Sequence, residues 1–152
     1  MDLGQKGRVA LVTGGSQGIG RAAAILLARE GARVASTYRE RRDAAVEVIA
    51  EVERTGGAAM AAAMDLASPE SIGAAVQRVV ERWGGIDVLI NSVVEWGPRA
   101  PWQVPRFEDV PSQEWRDMLR ANIEGTLTDL RPLFPSCARA GSDRECVVSR
   151  GR

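Results

Sequence analysis

Histidine is absent from this chain, and tyrosine and lysine occur once each, as Tyr38 and Lys6. Without histidine, neither a serine–histidine nor a cysteine–histidine catalytic arrangement can form. The two cysteines, Cys137 and Cys146, both lie near the end of the chain. Two cysteines without histidine favour neither a disulfide framework nor a zinc site, so we predict that the protein binds no metal.

Two further absences narrow the partners that we expect. No apolar stretch approaches the length of a membrane span, and no apolar leader precedes the first predicted strand. The formal net charge is zero, and the basic residues, all arginine except Lys6, are scattered along the chain. This charge pattern favours neither nucleic acid nor an anionic membrane. We therefore expect a cytoplasmic protein that binds neither of them.

Strand and helix patterns alternate along the first half of the chain. Short apolar runs predict strands, and apolar residues at helical spacing predict helices. Ser68 and Pro69 are typical of a helix start, as N-cap and first helical residue. The predicted strands are 9–13, 33–37, 58–64 and 86–90, and the predicted helices are 18–30, 43–54 and 69–83.

Successive strand–helix steps of this kind predict an α/β fold, namely a Rossmann-like doubly wound parallel sheet with helices on both faces. Residues 92–111 contain four prolines and are predicted to form a long loop, followed by a helix over 112–130. Only residues 146–148 suggest a fifth strand. We therefore expect an incomplete sheet, with a dinucleotide-binding domain over residues 1–141 and an atypical polar tail over 142–152.

The glycine-rich turn after the first strand is the strongest functional signal, in the run VALVTGGSQGIG from Val9 to Gly20. A glycine-rich turn between a strand and a helix is typical of a site for the diphosphate of a dinucleotide. Glycines there permit a tight exit from the strand, a close approach of the ligand and close helix packing. The alternative is a turn without a ligand. The predicted cofactor contacts here are Gly14, Ser16, Gln17, Gly18, Ile19 and Gly20.

The spacing of this turn, Thr-Gly-x-x-x-Gly-Ile-Gly, resembles the short-chain dehydrogenase/reductase family, and three similar segments follow in order. Asp65-Leu66 resembles the pair that contacts adenine in that family. The segment 91–94, Asn-Ser-Val-Val, resembles the segment beside the ribose and nicotinamide, which implies a cofactor contact for Asn91. The segment Asn122-x-x-Gly125 resembles the helix with the family's catalytic asparagine, which implies that role for Asn122.

The resemblance covers roughly residues 5–141 and implies an oxidoreductase that passes hydride between a nicotinamide cofactor and a carbonyl compound. Two departures concern the segment after the fourth strand. Val93 and Val94 are bulkier than the family's residues, and valine would be strained if position 94 needed a positive φ. For Asn91, a purely structural role that ties strands together is an equal alternative.

The end of the second strand bears on the choice of cofactor. An acidic residue there would bind the ribose 2′-hydroxyl and select NAD, but the sequence reads Ser-Thr-Tyr-Arg, ending at Arg39. An arginine suits a 2′-phosphate through charge-assisted hydrogen bonds, with help from Arg41 or Arg42. We therefore predict NADP (NADPH) in preference to NAD. Solvent-exposed arginines at a helix start are the alternative for Arg41 and Arg42.

The proton-donating residues that the resemblance implies do not appear. The family uses a tyrosine, a lysine four residues later and a serine, whereas this chain has no Tyr-x-x-x-Lys pair. Of that catalytic set, only Asn122 has a matching position. We therefore expect a chain that is inactive by itself, and a frameshift or premature stop as the origin of its polar tail.

An incomplete sheet also predicts an association surface. The outer edge of the fourth strand would lack a neighbour, and an apolar strand edge favours pairing with another chain. Homo-oligomers, or pairing with a full-length relative, are the partners that we expect besides the cofactor. The sequence is interpreted as the NADP-binding portion of a short-chain dehydrogenase/reductase. Two alternatives remain: a non-catalytic NADP-binding or oligomerisation module, and a degenerate product without function.

Overall fold

The computed structural model describes residues 3–98, 103 and 105–127. Four parallel strands form one sheet in the order β3–β2–β1–β4. The strands are β1 Val9–Thr13, β2 Arg33–Tyr38, β3 Ala58–Ala63 and β4 Val88–Asn91. The helices are α1 Gly18–Arg29, α2 Arg42–Arg54, α3 Pro69–Trp83 and α4 Ser112–Leu119, with a 3₁₀ turn at Phe107–Asp109 and a π-helical segment at Arg120–Gly125.

Helices cover both faces of the sheet, as predicted for a doubly wound fold. On one face, α1 and α2 pack on side chains that include Ala10, Val12 and Val34. On the other face, α3 contributes Val76 and Val79 to a cluster with β1 and β4. All five residues of β1 are buried, because the strand lies inside the sheet and is covered on both sides.

The strand order creates a crevice at the carboxyl edge of the sheet. The chain proceeds from β1 through β2 to β3 on one side and then crosses to β4 on the other side of β1. Thr13 lies opposite Asn91 at the carboxyl ends of β1 and β4. In open α/β sheets, ligands bind outside the carboxyl ends of the strands, where the order reverses. This crevice is therefore the first place to search for a binding site.

The third helix begins and ends as the sequence predicted. The Ser68 hydroxyl accepts a hydrogen bond from the Ser71 backbone N–H at 3.2 Å, and Pro69 is the first helical residue. Gly84 ends the helix in the left-handed region, with φ +86°. Such a conformation is easy for glycine and costly for other residues.

Some of the apolar residues that lie at helical spacing in the first two helices are not buried. Ile19 and Leu26 of α1 and Val46 of α2 are half or more exposed. The buried residues are Ala24, Ile25, Leu27 and Ala28 in α1, and Ala45, Val48 and Val52 in α2. Small alanines among them let both helices approach the sheet closely.

The C-terminal part differs from the single helix predicted over 112–130. The α-helical pattern ends at Leu119 and a π-helical segment follows, while residues from 128 onward lie outside the described part of the chain. The possible fifth strand at 146–148 and the tail 142–152 also lie outside it. Position 94 does not need a positive φ, since only glycines among the described residues have one, so the condition for strain at Val94 is not met. None of the described helices combines the length and apolarity needed to cross a membrane.

Candidate functional site

The glycine-rich turn after β1 is tightly packed. Gly14 has φ +65°, and a Cβ atom there would lie 3.0 Å from the Val93 Cα atom. A Cβ atom at Gly20 would overlap the Gly14 carbonyl oxygen. The chain thus leaves β1 through a tight turn at Gly14, as predicted. The backbone that lies close to Gly20 belongs to the glycine-rich turn itself. Residues with side chains would force the strand and the helix apart at this point.

The other side of the same turn, at Gly18, is open. Gly18 has φ +53°, and no atom lies within 4 Å of the position that its Cβ would occupy. Helix α1 begins here without a side-chain cap and without an acidic residue in its first turn. Its first N–H groups and the positive end of its dipole therefore remain for an anion. This geometry fits the diphosphate of a dinucleotide.

The other predicted residues of the turn differ in exposure. Ser16 is buried, whereas Gln17 and Ile19 are exposed. The Gln17 Oε1 atom accepts a hydrogen bond from the Arg41 guanidinium. Arg41 thus joins the start of α2 to the glycine-rich turn, a contact that the sequence did not predict.

Arg39 follows β2 at the carboxyl edge of the sheet, where the 2′-phosphate was expected. Its guanidinium forms an ion pair with Glu95, and its Nε atom lies 3.4 Å from Glu40 Oε1. The hydrogen bond and the charge of Glu95 raise the pKa of Arg39, burial acts in the opposite direction, and Glu40 and Asp65 raise it further. Arg39 therefore carries its positive charge at any physiological pH.

Asn91 connects β1, β4 and the π-helical segment. Its Oδ1 atom accepts a hydrogen bond from the Thr13 hydroxyl at 2.6 Å, and its Nδ2 atom donates to the Thr126 hydroxyl at 3.2 Å. The Thr126 hydroxyl in turn donates to the Asn122 carbonyl at 2.6 Å. The structural role considered for Asn91 is thus present, while its cofactor contact remains a prediction.

Asn122 lies in the π-helical segment, a type of irregularity that is frequent at functional sites. Its Oδ1 atom accepts from the Glu95 N–H at 2.9 Å, and its Nδ2 atom donates to the Glu95 and Met118 carbonyls, both at 2.8 Å. The side chain of Asn122 therefore fixes the backbone of Glu95. Its catalytic role remains a prediction.

Asp65 and Leu66, the predicted adenine contacts, follow β3. Asp65 Oδ1 accepts from the Ala67 N–H at 2.9 Å and so stabilises the turn before α3. Leu66 is buried, and a Cβ atom at Gly125 would lie 2.6 Å from its carbonyl oxygen. The glycine in Asn122-x-x-Gly125 therefore permits close packing on Leu66. Contacts of either residue with adenine remain predictions.

A family model for short chain dehydrogenase matches residues 8–143, which is most of the chain. The chain belongs to the short-chain dehydrogenase family. This family binds a nicotinamide dinucleotide, and the crevice between β1 and β4, with its glycine-rich turn, is the part of this member that suits one.

Two curated relatives of this family member match over much of its length. General stress protein 39 of Bacillus subtilis is 34% identical over 118 residues, which cover 78% of the chain and 40% of that protein. The 3-oxoacyl-(acyl-carrier-protein) reductase FabG of Staphylococcus epidermidis is 32% identical over 133 residues, which cover 88% of the chain and 52% of the reductase. The chain therefore spans about half the length of the curated relatives that it matches.

Solved structures of short-chain dehydrogenases share the fold. A short chain dehydrogenase from Burkholderia cenocepacia, in complex with NADP, superposes with a TM-score of 0.82 at 33% identity. The match covers 95% of this chain and 55% of that one. A dehydrogenase/reductase from Sinorhizobium meliloti also gives a TM-score of 0.82, at 34% identity. The predicted Rossmann-like fold is thus confirmed.

Three residues of the site were missed by sequence reasoning. Glu95 lies in the loop predicted over 92–111 and was not among the predicted site residues, although its place just after β4 puts it at the carboxyl edge of the sheet. The Thr37 hydroxyl accepts a hydrogen bond from the Gly14 N–H at 3.1 Å and so holds the turn to β2. A Cβ atom at Gly15 would lie 2.5 Å from the buried Ser36 hydroxyl oxygen. Gly15 is the second residue of a Gly-Gly pair, and this pair was the feature of the sequence that could have identified it.

Proposed function

We propose that this chain is the cofactor-binding portion of a carbonyl reductase and that it binds NADP(H) in preference to NAD(H). The observation that carries the preference is Arg39 at the end of β2, where a carboxylate would select NAD. A guanidinium suits the 2′-phosphate better than an acidic residue does, because it donates paired, charge-assisted hydrogen bonds. The NADP found in the similar Burkholderia structure supports this proposal.

Each end of the cofactor would have its own residues. The N–H groups from Gly18 to Gly20 would bind the diphosphate at the start of α1, and Arg39 would bind the 2′-phosphate. Asp65 and Leu66 would border the adenine, and Asn91 the nicotinamide ribose. The bound cofactor supplies the hydride, and these residues position it along the crevice.

Hydride transfer to a carbonyl also needs an acid that protonates the developing alkoxide. No Tyr-x-x-x-Lys pair occurs in the sequence, and the one tyrosine, Tyr38, lies at the end of β2. Asn122 is the one residue with a position in the family's catalytic set. We therefore propose that the chain binds cofactor but does not complete the reaction by itself.

Isothermal titration of the full chain with NADPH and with NADH tests the cofactor proposal. We expect NADPH to bind about tenfold tighter or more, because a charged hydrogen bond contributes roughly 1.5–3 kcal/mol. Arg39→Ala should remove most of this difference. Arg54→Ala, which removes the same charge at the far end of α2, is the matched control and should leave it intact. Equal affinities of the unaltered chain for both cofactors would overturn the preference.

A turnover assay with simple ketones tests the catalytic part. NADPH oxidation should show no rate above that of the protein-free mixture. A clear rate that disappears in Asn122→Ala would contradict the proposed inactivity.

A cytoplasmic location remains a prediction.

A second candidate function, association with another copy or with a full-length relative, is favoured by one surface. Four apolar side chains follow one another at a spacing of four residues, and all are exposed: Trp115, Leu119, Ile123 and Leu127. Within the described part of the chain, the outer edge of β4 also pairs with no strand. Sedimentation equilibrium tests this candidate. Leu119→Glu should shift an associated species towards monomer, and a monomeric unaltered chain would exclude self-association.

A further inference from the structure

Glu95 is held in place from several sides. Its backbone N–H and carbonyl are both bonded to the Asn122 side chain, at 2.9 and 2.8 Å. Its Oε1 atom accepts a hydrogen bond from the Gly97 N–H at 3.0 Å, and its Oε2 atom pairs with the Arg39 guanidinium. Its side chain is 24% exposed, compared with 50% for Arg39. The carboxylate is therefore the fixed member of the pair and the arginine the adaptable one.

The ion pair crosses the crevice. Arg39 follows β2 and Glu95 follows β4, and these strands lie on opposite sides of β1. Two strand spacings separate β2 from β4, which is about 10 Å. The pair thus joins the two sides of the carboxyl edge of the sheet, which is the edge where a dinucleotide binds in this kind of fold.

Three acidic side chains influence the Arg39 guanidinium. Glu95, Glu40 and Asp65 all raise its pKa, so three carboxylates act on one guanidinium. A 2′-phosphate adds about two negative charges near neutral pH. It must share or take the guanidinium from Glu95, and the carboxylate that it displaces remains nearby. A ribose 2′-hydroxyl carries no charge and meets no such competition.

We propose that Glu95 limits the preference for NADP(H) by competing with the 2′-phosphate for the Arg39 guanidinium. This inference rests on the proposed function, since it assumes that Arg39 is the 2′-phosphate ligand. In this proposal Arg39 makes NADP(H) the preferred cofactor, and Glu95 reduces the ratio of the two affinities.

Glu95→Gln in the full chain is the decisive variant. Glutamine keeps the length of the side chain and an oxygen for the Gly97 N–H, but it removes the charge that holds Arg39. We expect NADPH to bind about three- to tenfold tighter, since ion pairs that are partly exposed contribute modestly. NADH affinity should change less than twofold. Adenosine 2′,5′-bisphosphate, which lacks the nicotinamide half, should gain as much as NADPH.

Glu40→Gln is the matched control. It removes a carboxylate from the same guanidinium, but Glu40 is 79% exposed and its charge is screened by solvent. NADPH affinity should change less than twofold in this variant. Far-UV circular dichroism and thermal unfolding verify that both variants fold.

Three results would overturn the inference. Unchanged NADPH affinity in Glu95→Gln would show that no competition exists. Weaker NADPH binding would show that Glu95 orients Arg39 towards the phosphate. An equal gain for NADPH and NADH would show that the pair obstructs the crevice without discriminating. In all three cases, an unaltered chain that prefers NADPH and loses this preference in Arg39→Ala would leave the proposed function intact.

Discussion

The Thr13 hydroxyl donates a 2.6 Å hydrogen bond to the Asn91 side chain across the carboxyl ends of β1 and β4. Asn91 passes the connection on to Thr126, so one side chain joins two strands to the segment that contains Asn122. Thr13 is fully buried, and its partner is therefore costly to remove. The carboxyl edge of the sheet is stabilised by polar contacts as well as by apolar packing.

Asn91→Ala should lower the free energy of unfolding by about 1–3 kcal/mol, because the buried Thr13 hydroxyl loses its acceptor at 2.6 Å and keeps only the Ile90 carbonyl oxygen at 3.5 Å. Urea denaturation measures this change. Gln77→Ala removes an exposed hydrogen bond to Glu81 on α3 and serves as the control, with an expected change below about 0.5 kcal/mol. Equal effects of the two substitutions would show that the Asn91 contacts contribute little.

Gly20→Ala should destabilise the fold by roughly 2 kcal/mol or more, because its Cβ would overlap the Gly14 carbonyl oxygen and push α1 from the turn. Gly73→Ala in α3 is the matched control, since no atom lies within 4 Å of its Cβ position. That substitution should stabilise the protein by up to about 1 kcal/mol through helix propensity. Thermal and urea denaturation distinguish the two. Destabilisation by both, to the same extent, would contradict the close packing at Gly20.

Asn122→Ala and Asn122→Asp should both lower the free energy of unfolding, by roughly 1–3 kcal/mol each. Aspartate can still accept from the Glu95 N–H, but its ionised carboxylate cannot donate to the Glu95 and Met118 carbonyls. Gln113→Ala on the exposed side of α4 is the control and should have little effect. A fully stable Asn122→Asp variant would show that the two donated hydrogen bonds are dispensable.

The preference for NADPH over NADH should not change between pH 7 and about pH 9, where the 2′-phosphate is doubly ionised. Because the pKa of Arg39 is raised, its positive charge is present throughout this range and is lost only when the pH rises through that raised value. Titration calorimetry at several pH values in one ionic strength measures the ratio. A preference that declines steadily above pH 7 would indicate that a group other than Arg39 binds the phosphate.

Local patterns in the sequence were sufficient for most of the fold. The bounds of β1 and the N-cap at Ser68 matched because burial of apolar runs and capping depend on neighbouring residues. The glycine-rich turn could also be predicted from the sequence, because glycines at this spacing mark positions where the backbone has a positive φ or packs closely. Exposed Ile19 and Leu26 show the weakness of such patterns, because packing against the sheet decides which side of a helix is buried.

The sequence by itself was enough to predict a parallel α/β sheet, a glycine-rich turn between the first strand and the first helix, and an arginine in place of an acidic residue after the second strand. Only the tertiary structure decided what these residues contact. Arg39 and Glu95 are 56 positions apart, and Glu95 and Asn122 are 27 apart. Such partners meet because β2 and β4 flank β1 and the π-helical segment packs beside β4, and contacts between side chains so far apart in the chain depend on the folded sheet and not on any local pattern.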